Sequence, residues 1–245
     1  MTESPVVVVT GGGSGIGLAT CRLLEREGAR LAAVDIDIEA ARVGAGEAGL
    51  ALVADVADAA AVATAVERVL DSYGRIDVLV NNAGIGGGPQ AGRCHETPVE
   101  VWERVQAVNV RGPFLCSRAV LPGMLAQGSG QIITIASVNA LVALPGRCAY
   151  TTSKGAALML TRSIAVDYAA GGIRANAICP GLVRTPLTRA RLDDPADPWK
   201  VAERVPLGRA AQPEEIADAV AALALGRLGY LNGAAWVLDG GWTAL

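Results

Sequence analysis

The chain has 245 residues, of which 51% are hydrophobic and 18% charged, and its formal net charge is -3. That balance buries a sizeable core, excludes disorder, and leaves no basic field for nucleic acid. Five cysteines (Cys21, Cys94, Cys116, Cys148 and Cys179) form no CxxC pair and the single His95 has no cluster around it, so a cytoplasmic protein with reduced thiols and no metal site is expected.

In chain order, the apolar run 6–9 reads as a first strand. It is too short to cross a membrane and lacks the basic flank of a signal peptide. A helix is expected over 15–27, strands over 31–34 and 51–54, a helix over 59–73 and a strand over 78–80. A long helix over 99–126 follows, which Pro122 is expected to end or kink. Then come a strand over 132–136, a helix over 151–170 and a strand over 174–178. A helix over 213–225 opens at Gln212-Pro213 with Glu214 and Glu215, and a strand covers 235–238. Short apolar runs without polar alternation, interleaved with amphipathic ones, predict βα units and a parallel sheet covered on both faces. Residues 184–208, with Pro186, Pro195, Pro198 and Pro206, break the rhythm and are expected to form a lid or binding loop. Trp199 within it either covers an apolar part of a substrate or anchors the loop.

The first strand runs into Thr10-Gly11-Gly12-Gly13-Ser14-Gly15-Ile16-Gly17, where a helix opens. Glycines there let backbone approach a pyrophosphate, and the helix N-terminus offers free N–H groups and a positive dipole end. Asp35 ends the second strand eighteen residues after Gly17, placed to accept from both ribose hydroxyls of an adenosine. A 2′-phosphate would be repelled there by roughly 1–4 kcal/mol per charge pair, so NAD is expected over NADP. Asp37 reads as a solvated helix-start residue. Asp55-Val56 ends the third strand and Asn81-Asn82-Ala83-Gly84 the fourth, at the crevice where such sheets bind ligands. Asp55 either accepts from the adenine amine or caps the following helix, and Asn82, Ala83 and Gly84 present backbone beside the ribose.

Tyr150 and Lys154 are four residues apart, and Ser137 lies thirteen upstream of the tyrosine. Residues four apart share a helix face, so the ammonium can lie beside the phenol ring. One positive charge ~4 Å away is worth roughly 4 kcal/mol at an effective dielectric of about 20, so Lys154, helped by a positive nicotinamide ring, is expected to bring the phenol toward neutrality as a general acid–base. Ser137, just past an apolar strand, would steady the substrate oxygen. Asn109 is a candidate to fix a water that links Lys154 to solvent.

These residues together resemble the short-chain dehydrogenase/reductase family over Val6 to about Trp242. The matching positions are Thr10-Gly11-x-x-x-Gly15-x-Gly17, Asp55, Asn81-Asn82-Ala83-Gly84, Asn109, Ser137 and Tyr150-x-x-x-Lys154, with Asn176, Pro180-Gly181, Thr185 and Asp239-Gly240-Gly241. The resemblance implies a single-domain α/β fold over 1–245, a Rossmann-type doubly wound parallel sheet of about seven strands. It implies Tyr150 as proton donor or acceptor, Lys154 as its electrostatic partner and ribose ligand, Ser137 as substrate orienter and Asn109 as the proton-relay residue. Val183 and Thr185 would hold the nicotinamide carboxamide, and Asp35 matches NAD-preferring members.

The glycine-rich stretch 85–96 should border the site's mouth, with His95 in an exposed loop. Asn139 and Arg147 stand where family members line the substrate pocket, so one of them binds a polar or acidic substrate group, or they are a turn asparagine and a surface arginine. Family members pair the helices at 99–126 and 151–170 between subunits, implying a homodimer or homotetramer. The expected activity is NAD-dependent interconversion of a secondary alcohol and a ketone. A 3-oxoacyl-[acyl-carrier-protein] reductase is the alternative enzyme, for which Arg104, Arg111 and Arg118 would form a docking patch, though Asp35 speaks against its usual NADP. A non-catalytic NAD-binding sensor is the alternative of another class, and it commonly lacks the tyrosine or lysine retained here.

Overall fold

The computed structural model describes residues 4–194 and 204–244. The elements are β1 (Val6–Thr10), α1 (Gly15–Arg26), β2 (Arg30–Asp35), α2 (Ile38–Ala45), β3 (Leu50–Val53), α3 (Ala59–Tyr73) and β4 (Val78–Asn81). They continue with α4 (Val99–Gln106), α5 (Gly112–Gln127), β5 (Gly130–Ile135), α6 (Cys148–Tyr168), β6 (Ile173–Pro180), α7 (Pro186–Leu192), α8 (Pro213–Ala224) and β7 (Ala235–Leu238). All pairings are parallel, in the order β3-β2-β1-β4-β5-β6-β7. Strand order reverses between β1 and β4, which puts a crevice at their carboxyl ends.

Alternate residues of β1 feed two cores. Val6 and Val8 pack with Val62, Val66 and Val69 of α3 and with Leu115, Val120 and Met124 of α5. Val7 and Val9 pack on the other side with Cys21 and Leu24 of α1 and with Ile216, Val220 and Leu223 of α8. Period-two exposure of strand side chains thus requires apolar residues from Val6 to Val9, which is why the run shows no polar alternation.

The segment 99–126 is helical throughout, as expected, with a π-helical turn, Ala107–Arg111, joining α4 to α5. Of the two outcomes expected at Pro122, ending the helix is corrected: α5 runs through it to Gln127, held by buried Val120, Leu121 and Met124 on the core side. Helices α2 and α7 have no counterpart in the sequence reading. Asp37 does start a helix, accepting from the Glu39 N–H at 2.9 Å at the head of α2. Trp199, with residues 195–203 of the expected lid, lies outside the described residues.

Candidate active site

At the end of β1, Thr10 Oγ1 accepts from the backbone N–H of Asn82 (3.0 Å) and Ala83 (3.1 Å). Asn82 Nδ2 donates in return to the carbonyls of Thr10 (2.9 Å) and Gly11 (3.0 Å). These bonds clamp the end of β4 to the glycine turn. Gly11 (φ +61°) and Gly15 (φ +51°) occupy the left-handed region that favours glycine. Gly17 is required for a different reason: a Cβ there would lie 2.0 Å from the Gly11 carbonyl oxygen. Ser14 is extended and its side chain makes no cap bond, so it leaves the first N–H groups of α1 uncapped at the groove.

That turn forms one wall of a groove of about 310 Å³. Gly11, Ser14, Gly15 and Ile16 border it at the turn, with Asp35, Asp55 and Val56 at one end and Asn82, Ala83 and Gly84 along the floor. Ser137, Tyr150, Lys154, Pro180, Gly181, Val183 and Thr185 line the other end. Gly17 supports the groove from behind. Asp35 Oδ2 accepts from the Gly13 N–H at 3.1 Å and Oδ1 from the Asp37 N–H at 3.3 Å, which fixes the carboxylate at the rim. Uncapped helix N–H groups, a backbone cradle without Cβ atoms and a carboxylate one strand over fit a dinucleotide whose phosphates meet the helix end. Asp55 Oδ1 accepts from the Ala57 N–H at 2.9 Å, while the cap of α3 is Asp58, leaving Asp55 free of the capping role.

Tyr150 and Lys154 lie in the first two turns of α6, which starts three residues earlier than the sequence pattern suggests. Lys154 is 6% exposed, and its Nζ sits 5.6 Å from the Tyr150 ring centroid and donates to the Ile135 carbonyl at 2.8 Å. Burial lowers its pKa from 10.5 to about 8. Burial also raises the Tyr150 phenol above its ordinary value, opposed by the Ser137 hydroxyl and the Arg147 charge. Within the protein alone, desolvation of the phenolate outweighs the neighbouring charges. Ser137 Oγ accepts from the Asn139 N–H at 3.2 Å, which leaves its own proton for an oxygen in the groove.

Asn109 sits on the π-turn, buried behind the groove. Its Oδ1 accepts from the Ile85 N–H and its Nδ2 donates to the Ile85 carbonyl and to Ser153 Oγ, each at 2.9 Å. Ser153 Oγ donates in turn to the Tyr150 carbonyl at 2.7 Å. The amide thus braces the floor and α6, and one lone pair of Oδ1 stays open. Asn139 is buried, with Nδ2 donating to Thr151 Oγ1 at 3.3 Å, and neither it nor Arg147 borders the groove. Arg147 is half-buried at the head of α6 and makes no side-chain hydrogen bond or ion pair among the described residues.

Other motif residues are architectural. Asn176 Nδ2 donates to the Leu231 carbonyl and Oδ1 accepts from the Ala234 N–H, tying the approach of β7 to β6. Asp239 accepts from Gly241 N, Thr243 N and Thr243 Oγ1, closing a turn so near Gly181 that a Cβ there would lie 2.8 Å from Asp239 Cα. The helix α7 starts at Thr185, whose side chain lies over Gly15, and Leu187 faces Gly86 across the mouth. His95 is exposed. Arg104 lines the groove and pairs with Asp55 at 3.2 Å. In the sequence it stands with Arg111 and Arg118 as one of three docking-patch candidates, and nothing local distinguishes it.

A family profile described as enoyl-(acyl carrier protein) reductase matches residues 11–243. The chain is 50% identical to 2-(R)-hydroxypropyl-CoM dehydrogenase of Xanthobacter autotrophicus, over 99% of this chain and 100% of that one. Among solved structures it matches a short-chain type dehydrogenase/reductase from Mycobacterium marinum at a TM-score of 0.92 and 32% identity, covering 99% and 97% of the two chains. It matches a 3-ketoacyl-(acyl-carrier-protein) reductase from Brucella melitensis complexed with NADH at a TM-score of 0.90 and 33% identity, covering 98% and 99%.

Proposed function

The chain belongs to the short-chain dehydrogenase/reductase family, and on that premise we propose that it is an NAD-dependent oxidoreductase interconverting a secondary alcohol and a ketone. The observation that carries this reading is the meeting of Ser137, Tyr150 and Lys154 at one end of the groove whose other end holds Asp35. In the oxidation direction Ser137 donates to the substrate oxygen, Tyr150 as phenolate accepts its proton, and Lys154 holds the ribose and the charge beside the ring. An oxidised nicotinamide held in the groove would supply the acceptor for the hydride of the carbinol carbon, so that alcohol and oxidised cofactor balance against ketone, reduced cofactor and a proton. Asn109 acts on the relay between Lys154 and solvent, and Val183 and Thr185 hold the carboxamide. Asp35 favours NAD because its fixed carboxylate would meet a 2′-phosphate.

On the same reading, an anionic group on the substrate reaches beyond the groove wall to Arg147, three residues before Tyr150. This arginine is half-buried, lacks a partner among the described residues, and its charge already reaches the Tyr150 phenol. The relative from Xanthobacter is named for a secondary alcohol on coenzyme M, a thiol that ends in a sulfonate. The helix α7 forms the substrate-side wall, within the cover expected over 184–208, and residues 1–245 act as one domain. Exposed Phe114 and Leu125 on α5 and Met159 and Val166 on α6 support a homodimer or homotetramer paired through these helices. Five free cysteines support a cytoplasmic setting. A carrier-protein docking patch is disfavoured because Arg104 is drawn into the groove.

The test is oxidation of 2-hydroxypropyl-coenzyme M against neutral 2-butanol with NAD, in the native protein and in Arg147→Ala and Tyr150→Phe. Tyr150→Phe should lose roughly 10²–10⁴ of kcat on both. Arg147→Ala should raise KM about tenfold or more for the sulfonate alone. Full turnover by Tyr150→Phe overturns the mechanism, and an unchanged KM ratio overturns the anionic substrate.

A further inference from the structure

Arg104 and Asp55 are separated by 49 positions and meet at the end of the groove farthest from Tyr150. Both Arg104 Nη1 and Nη2 donate to Asp55 Oδ2 at 3.2 Å, while Oδ1 takes the Ala57 N–H at 2.9 Å. The arginine comes from the last turn of α4 and the carboxylate from the loop after β3, so the pair bridges two sides of the groove. The side chains are 50% and 31% exposed, and ion pairs so open to solvent add little to fold stability. What the contact does supply is orientation. A carboxylate held by a guanidinium on one oxygen and a backbone N–H on the other is fixed in orientation and keeps a spare lone pair on Oδ1.

We infer that Arg104 is a positioning residue that fixes Asp55 as a reader of the cofactor's base, so that the groove selects a purine bearing an exocyclic amine over one bearing a carbonyl at that place. The inference rests on the reading that a dinucleotide lies in the groove with its base at Asp55. An ionised carboxylate is an acceptor only: it pairs with the amine of adenine and opposes the oxygen of hypoxanthine. Without Arg104 the carboxylate is free to swing toward solvent, and the two bases become more nearly equal. Unlike charge steering of the phosphates, this effect changes the preference between two cofactors of identical charge.

The experiment measures dissociation constants of the full chain for NADH and for reduced nicotinamide hypoxanthine dinucleotide by the fluorescence of the dihydronicotinamide, with no substrate needed. The native protein should prefer NADH by about tenfold or more, the size of one charge-assisted hydrogen bond. Arg104→Ala should narrow that ratio several-fold and Arg104→Lys should narrow it less, with melting temperatures confirming that each variant is folded. A merely structural role would weaken both cofactors by one factor, and an unchanged ratio in Arg104→Ala and Arg104→Lys overturns the inference. Asp55→Ala separates the two layers. If it narrows the ratio and Arg104→Ala does not, only the positioning role falls. If it leaves the ratio intact, the placement of the base at Asp55 falls and the inference with it.

Discussion

Replacing Lys154 by methionine isolates what the buried ammonium costs the fold. The side chain is 6% exposed, its Nζ bonds the Ile135 carbonyl at 2.8 Å, and burial lowers its pKa from 10.5 to about 8. Each pH unit of lowering costs the charged form ~1.4 kcal/mol, so at neutrality the folded chain gives up about 3 kcal/mol to keep the proton. Methionine has similar length and no charge, but it leaves the Ile135 carbonyl without this donor, at a cost of about 1–3 kcal/mol. At neutral pH Lys154→Met should therefore be no less stable than the native protein, and up to about 2 kcal/mol more stable. The decisive quantity is the pH dependence. A lowered folded-state pKa means that the folded chain releases its proton first, so Lys154 destabilises least above the unfolded value of 10.5 and most below the folded value of about 8. Between roughly pH 7 and pH 10 the stability of Lys154→Met relative to native should fall by about 2 kcal/mol. Urea unfolding of both proteins across that range measures it, and parallel stability curves would refute the assignment of a depressed lysine pKa. Turnover should drop roughly 10²–10⁴ in the same variant, separating catalytic need from structural cost.

Two further perturbations test the cofactor end. Asp35→Ser removes the fixed rim carboxylate, and relief of roughly 1–4 kcal/mol per charge pair should move the NADPH-to-NADH ratio of dissociation constants at least about tenfold toward NADPH; an unmoved ratio means that Asp35 does not read the 2′-position. Gly17→Ala places a Cβ 2.0 Å from the Gly11 carbonyl, backbone against backbone, and should cost about 1–3 kcal/mol and abolish NADH binding. Gly123→Ala, on the same scale of change, meets nothing within 4 Å in α5 and should gain about 0.5–1 kcal/mol. Wild-type NADH affinity in Gly17→Ala would refute the close-packed turn.

Every strand was legible because β strands buried on both faces leave short apolar runs that helices do not imitate. The misses have local causes. In α2 only eight residues are helical, and Gly44 among them weakens the pattern, yet a side chain there would strike the Gly12 carbonyl, its Cβ only 2.3 Å away. The glycine that hides the helix from propensity is the one that lets it pack on the turn. The π-turn shifts the helical phase over five residues, too few for a periodicity to show, and it carries Asn109. Pro122 punctuates the sequence but not the structure, since burial of Val120, Leu121 and Met124 outweighs one lost backbone bond. Arg104 was unreadable for another reason: its partner is 49 positions away, and only the fold brings α4 over the end of β3.

The catalytic pair shows where spacing alone misleads. Four residues along a helix do put Lys154 beside Tyr150, but adjacency says nothing of the medium between them. In water the ammonium would pull the phenol down. Here Lys154 is buried and Tyr150 half-buried at the groove wall, and burial acts on each in the direction of its neutral form, raising the tyrosine and lowering the lysine. Opposing the rise of the phenol takes positive charge beside it. Arg147 already lowers Tyr150 from one side, and an oxidised nicotinamide in the groove would add charge from the other. Proton transfer at Tyr150 would then be favoured by a filled groove, whose added positive charge opposes the effect of burial on the phenol.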